Sequence, residues 1–192
     1  ALYLDYNITP QLCFIHYAQL FMFTLNQTLR LYAAISYGDI AGVRKSILAG
    51  ANIHETINDT TTILSTISAN LYHPDMINTL KCAGASVDAH KDLPHLIPLH
   101  VAGTSNHPIA HLVFLDLLSA GANPNVDYYY NVPDASFLFK YVCGNAGCGT
   151  DAGCMKLLQC GAICTEWGIL TTVAAQRGWY RTAQHLTNVL DT

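Results

Sequence analysis

Four short stretches of this chain follow one plan, and that plan limits what it can fold into. "ILAGANIH" (47–54), "LKCAGASVD" (80–88), "LLSAGANPN" (117–125) and "LLQCGAICT" (157–165) each run from an apolar helical turn through a small pair into a polar or small extended piece. Their glycines, Gly50, Gly84, Gly121 and Gly161, are 34, 37 and 40 residues apart. A glycine just beyond a helical pattern suits the position where the backbone must turn to positive φ. A fixed period of this length means stacked copies of one small unit, each burying its apolar face on the next.

A second pattern lies upstream of each glycine. "LYAAISYGD" (31–39), "ILSTISANL" (63–71), "PLHVAGTSN" (98–106), "SFLFKYV" (136–142) and "LTTVAAQRGW" (170–179) read as short helices with a stripe of small residues. Turn and helix-start signals separate the two patterns: Gly38-Asp39, His73-Pro74-Asp75, His107-Pro108, Thr150-Asp151 and Gly178-Trp179. Asp and Thr serve as N-caps, and Pro is favoured at the first helical position. Each unit is therefore expected to be helix, turn, helix and an extended finger.

This pattern resembles the ankyrin repeat family. Pro98-Leu99-His100-Val101-Ala102 matches the family's Thr-Pro-Leu-His-x-Ala, and the four Gly-Ala pairs beginning at Gly50, Gly84, Gly121 and Gly161 match as well. Residues 31–53 follow the family spacing without a gap. The likeness covers about 31 to 190, with degenerate units: "TTIL" (61–64) replaces the Pro and His of the motif, and the fourth unit keeps neither. The resemblance implies an all-α, ankyrin-type solenoid of about five helix-turn-helix repeats with finger loops, at about 31–60, 61–95, 96–133, 134–166 and 167–192. Residues 1–30 are expected to form an N-terminal capping helix over the apolar edge of the first unit. The family also implies that His100 is a structural peg, and that an Asn placed as Asn125 is, with Leu117 eight residues upstream, similar to sites used by an asparaginyl hydroxylase.

Composition excludes several classes. The net charge is −4 and charged residues make up 11%, so the clustered cations of a nucleic-acid binder are missing. The most apolar stretch, "LCFIHYAQLFMFTL" (12–25), is interrupted by His16 and Gln19 and falls short of a membrane span. It also lacks the basic start and cleavage site of a signal peptide. The chain opens on Ala1, as an excised or processed piece would. Seven cysteines without framework spacing suit reduced thiols in an intracellular protein, cytoplasmic or nuclear, or inside a host cell if the chain is an effector.

Chemistry is hard to place. Cys143, Cys148, Cys154, Cys160 and Cys164 are separated by four, five, five and three residues, unlike paired zinc ligands. Neither a nucleophile elbow nor a phosphate loop occurs. No catalytic residue, metal or cofactor is expected. Binding is easier to place: the fingers carry Glu55, Asp59, Asp88, Asp92, Asp127 and Asp134 against Lys91, while Arg44, Lys45, Lys81, Lys156 and Arg181 fall on second helices. An acidic rim would steer a basic protein partner. Tyr128, Tyr129 and Tyr130 stand in a row in an enlarged finger, and Tyr is common at binding hot spots. The expected function is a protein–protein interaction module binding through Tyr128, Tyr129, Tyr130, Asp127, Asp92, Asp88, Glu55 and Asp59, with neither nucleic acid nor membrane as partner. Two alternatives stay open: a structural subunit associating through the apolar N-terminal helix, and a metal-bearing domain centred on 143–164. The oligomeric state is not fixed by the sequence.

Overall fold

The computed structural model describes residues 10–54, 67, 73–88, 97–125, 136–144 and 149–190, with side chains from residue 22 onward except Thr24. Among these residues the chain is all-helical: nine helices and no strand. They are α1 (Pro10–Ser36), α2 (Ile40–Leu48), α3 (Met76–Cys82), α4 (Pro98–Thr104), α5 (Ala110–Ser119), α6 (Phe137–Cys143), α7 (Asp151–Gln159), α8 (Trp167–Gln176) and α9 (Tyr180–Leu190). Ile67 is helical and buried. None of the described helices is long and apolar enough to cross a membrane.

Local sequence sets most helix starts. The Asp39 carboxylate accepts a hydrogen bond from Gly42 N at 2.9 Å and caps α2. Ser136 accepts from Phe139 N at 3.1 Å above α6, and Thr150 from Gly153 N at 3.0 Å above α7. Pro98 occupies the first turn of α4, where no N–H is missed. Asp75 behaves differently from an N-cap: its side chain makes no cap bond, and its own N–H donates instead to His73 Nδ1 at 3.2 Å. The boundary expected near residue 30 falls inside one continuous helix, because nothing from Pro10 to Ser36 interrupts α1. The expected cap and the first helix of the first unit are thus a single rod.

Helix ends repeat one geometry. After α2, α3, α5 and α7 the chain reaches Gly50, Gly84, Gly121 and Gly161 at φ of 85°, 102°, 92° and 84°. Each glycine N–H donates three residues back and the next alanine N–H five residues back, as in Gly121 to Leu118 O and Ala122 to Leu117 O. These bonds satisfy carbonyls the helix end leaves open.

The helices pack as pairs: α1 with α2, α4 with α5, α6 with α7, and α8 with α9. Between pairs, α4, α6 and α8 form one row, and α3, α5, α7 and α9 a second. The core lies between the rows, in Leu31, Ile35, Ile77, Leu80, Val113, Phe114, Leu117, Tyr141, Leu157 and Leu170. Each such large apolar side chain contributes roughly 1.5–3 kcal/mol on burial. A string of rings links three pairs. Phe114 stacks on Tyr141 with centroids 4.8 Å apart, Phe137 tilts against both, and Trp179 meets Tyr141 at 6.3 Å.

Candidate functional site

The loops after Gly50, Gly84 and Gly121 carry Asn or Asp, while the loop after Gly161 has Cys164, whose Sγ accepts from Glu166 N at 3.3 Å. Asn52 Oδ1 accepts from His54 N at 3.0 Å, and Asn123 Oδ1 from Asn125 N at 2.9 Å. These are Asx turns, a local bond from a side chain to the backbone two residues on. Longer bonds then tie one loop to the next. Asp88 Oδ1 accepts from Asn123 N at 2.9 Å, across 35 residues. The exposed Asn125 bridges to the following loop twice, donating to Gly161 O at 2.9 Å and accepting from Ile163 N at 2.7 Å. The first loop is tied back to α1 by Asn52 N donating to Thr28 Oγ1 at 2.9 Å. The second, third and fourth loops are therefore tied in series, by the Asp88 carboxylate and the Asn125 amide.

Of the residues expected to bind a partner, Asp88 is described, and its carboxylate holds the next loop in place. That structural task stands beside any contact it makes. Glu55, Asp59, Asp92, Asp127, Tyr128, Tyr129 and Tyr130 lie outside the described residues, as do Lys91 and Asp134. The cations expected on second helices are there: Arg44 and Lys45 on α2, Lys81 on α3, Lys156 on α7 and Arg181 on α9. Lys81 Nζ donates to Ala120 O at 2.5 Å, so it joins α3 to the end of α5. Arg44 faces Asp75 at 4.0 Å with both side chains exposed, a weak interaction.

His100 sits in α4, 6% exposed, with its ring 5.7 Å from that of Phe137. It belongs to the core. The described cysteines, Cys82, Cys143, Cys154, Cys160 and Cys164, are free thiols. Burial pushes the Cys154 thiol up to about 12. Burial also raises Cys143, with the Arg177 guanidinium opposing the shift. Such thiols are poor nucleophiles near neutral pH. Among the described residues no three of His, Cys, Asp and Glu gather closely enough to hold a metal ion; Cys148 lies outside them.

The last pair carries an open cleft of about 610 Å³ along α8, with Trp167, Ile169, Val173 and Leu190 on its apolar side and Glu166 and Gln176 at its rim. Asp151 ties this pair to the one before, accepting from Thr182 N at 3.0 Å and from Thr182 Oγ1 at 2.6 Å. Compared with models of protein families and with curated proteins, the chain matches neither.

Proposed function

We propose that this chain is an ankyrin-type repeat module. It recognises a partner protein through its loops and the helix row beside them, and does no chemistry of its own. The observation that carries the reading is the recurrence of one helix end six times, at Gly38, Gly50, Gly84, Gly121, Gly161 and Gly178, together with the side-chain bonds that join the second, third and fourth loops. A surface held this way loses little conformational freedom on binding. The acidic residues of the loops favour a partner with a basic surface, and the unbridged thiols suit an intracellular setting.

The test compares capture of partners from a cell lysate by the intact chain and by a folded Tyr128/Tyr129/Tyr130→Ala variant. Loss of a captured protein, with affinity weaker by roughly 2 kcal/mol or more, is the expected result. Equal affinity of the two moves the site away from these tyrosines. One observation favours a second reading, an assembly subunit joined through α1: Met22, Phe23 and Leu29 are 63%, 55% and 63% exposed on that helix. A monomeric mass in light scattering at micromolar concentration removes it.

A further inference from the structure

Between α1 and α2 lies a pocket of about 480 Å³ lined by Gln27, Arg30, Ala33, Tyr37, Lys45 and Ser46. Two of the nine Lys and Arg of an acidic chain converge here from different helices. Among the described residues neither Arg30 nor Lys45 takes part in an ion pair. Asp39, at the rim, is the opposing charge, and one of its oxygens is held by Gly42 N as the cap of α2. The pocket stays net positive.

Two further groups set it apart from ordinary surface. Gln27 is 6% exposed and Ser46 5% exposed. Neither side chain hydrogen-bonds another described residue. Their polar ends open onto the pocket, so the Gln27 amide and the Ser46 hydroxyl are accessible to an incoming group. The remaining lining is apolar, with Ala33 and the ring of Tyr37. The same face of α1 continues two turns back to the exposed Phe23, seven residues before Arg30.

We propose that this pocket docks an acidic, apolar peptide segment of a partner protein. A Glu or Asp carboxylate sits between Arg30 and Lys45, within reach of Gln27 and Ser46, and the neighbouring apolar side chains lie on Tyr37, Ala33 and Phe23. The guanidinium of Arg30 offers paired donors that match a carboxylate, and Lys45 adds a mobile point charge. A bare phosphate would use the cations and leave the apolar wall unfilled. This site lies apart from the loops and selects the opposite charge, so it stands or falls independently of the loop reading.

The experiment titrates a labelled nonapeptide of alternating leucine and glutamate, following anisotropy and the Gln27 side-chain amide resonance. Saturable binding is expected, about tenfold weaker for the glutamine-for-glutamate peptide and for each of Arg30→Gln and Lys45→Gln, the scale of one charge-assisted hydrogen bond. Arg44→Gln, outside the pocket, leaves it unchanged. These replacements are exposed helical positions filled by a good helix former, and circular dichroism verifies the fold. The proposal is overturned by no binding, by equal affinity for the glutamine peptide, or by unchanged binding in both pocket variants. Equal competition by inorganic phosphate reduces the site to an anion site. A Gln27 resonance that shifts with protein concentration alone, with a doubled mass, makes the occupant a second copy.

Discussion

Gly153 is the residue whose replacement the packing constrains most sharply. It is buried in the first turn of α7, and a Cβ there would land on the Tyr141 hydroxyl, with Tyr141 Cζ at 2.9 Å and Thr150 Oγ1 at 3.1 Å. Tyr141 cannot simply swing away. It is 2% exposed, it stacks on Phe114, and its hydroxyl accepts a hydrogen bond from Thr150 N at 3.2 Å. Gly153→Ala therefore overpacks the core, at about 1–3 kcal/mol, and disturbs that hydrogen bond, about 1 kcal/mol more. Replacing Gly by Ala inside a helix returns up to about 1 kcal/mol. The net is a loss of about 2 kcal/mol, or a melting point lower by about 4–8 °C. Urea unfolding followed by tryptophan fluorescence measures it, since Trp179 touches Tyr141. Tyr141→Phe removes the obstructing oxygen, so the double variant should lose at least ~1 kcal/mol less than the sum of the singles. A neutral Gly153→Ala, or strict additivity with Tyr141→Phe, would refute the contact as the cause.

Replacements at Gly121, Gly84 and Asn125 probe the helix ends and loops. At Gly121 an added Cβ meets nothing within 4 Å, so Gly121→Val tests backbone conformation alone; it should cost about 2 kcal/mol in thermal melts, whereas Gly121→Asn should cost well under half of that. Gly84→Val should behave alike, with Ile53 Cδ1 at 3.4 Å adding slight crowding. Asn125→Ala removes both bonds to the next loop and should destabilise by about 1–2 kcal/mol, with faster amide exchange at Ile163, while Asn125→Asp keeps the acceptor and should protect Ile163.

The parts of the fold that depend on near neighbours were legible in the sequence. Gly50, Gly84, Gly121 and Gly161 end helices because only a few residues on either side decide that geometry. Asp39 and Thr150 cap helices for the same reason. Asp75 does not cap α3 with its side chain because its backbone is already helical, at φ −81° and ψ −4°, where an N-cap residue is extended. That α1 runs unbroken past residue 30 had no local signal against it, because residues 10–36 hold no Pro beyond Pro10 and no Gly. The site was legible only in part. The short-range half of the loop bonding, Asn52 to His54 and Asn123 to Asn125, has a sequence signal in the Asn-x-x spacing. The other half joins residues 35 to 38 apart, and nothing in a single sequence says which Asn reaches the next loop. The same holds for the pocket of Arg30 and Lys45: the sequence places one at the end of the capping helix and the other on a second helix.

The ring string running from Phe114 through Phe137 and Tyr141 to Trp179 has a consequence for how the protein comes apart. Helix pairs that lean mainly on their neighbours could melt one at a time from either end. Rings from α5 and α6 and the residue leading into α9 share a single contact assembly, so the final pair cannot detach without exposing the stack of the pair before it. Fraying from that end is thereby discouraged, and the last three pairs open as one cooperative unit.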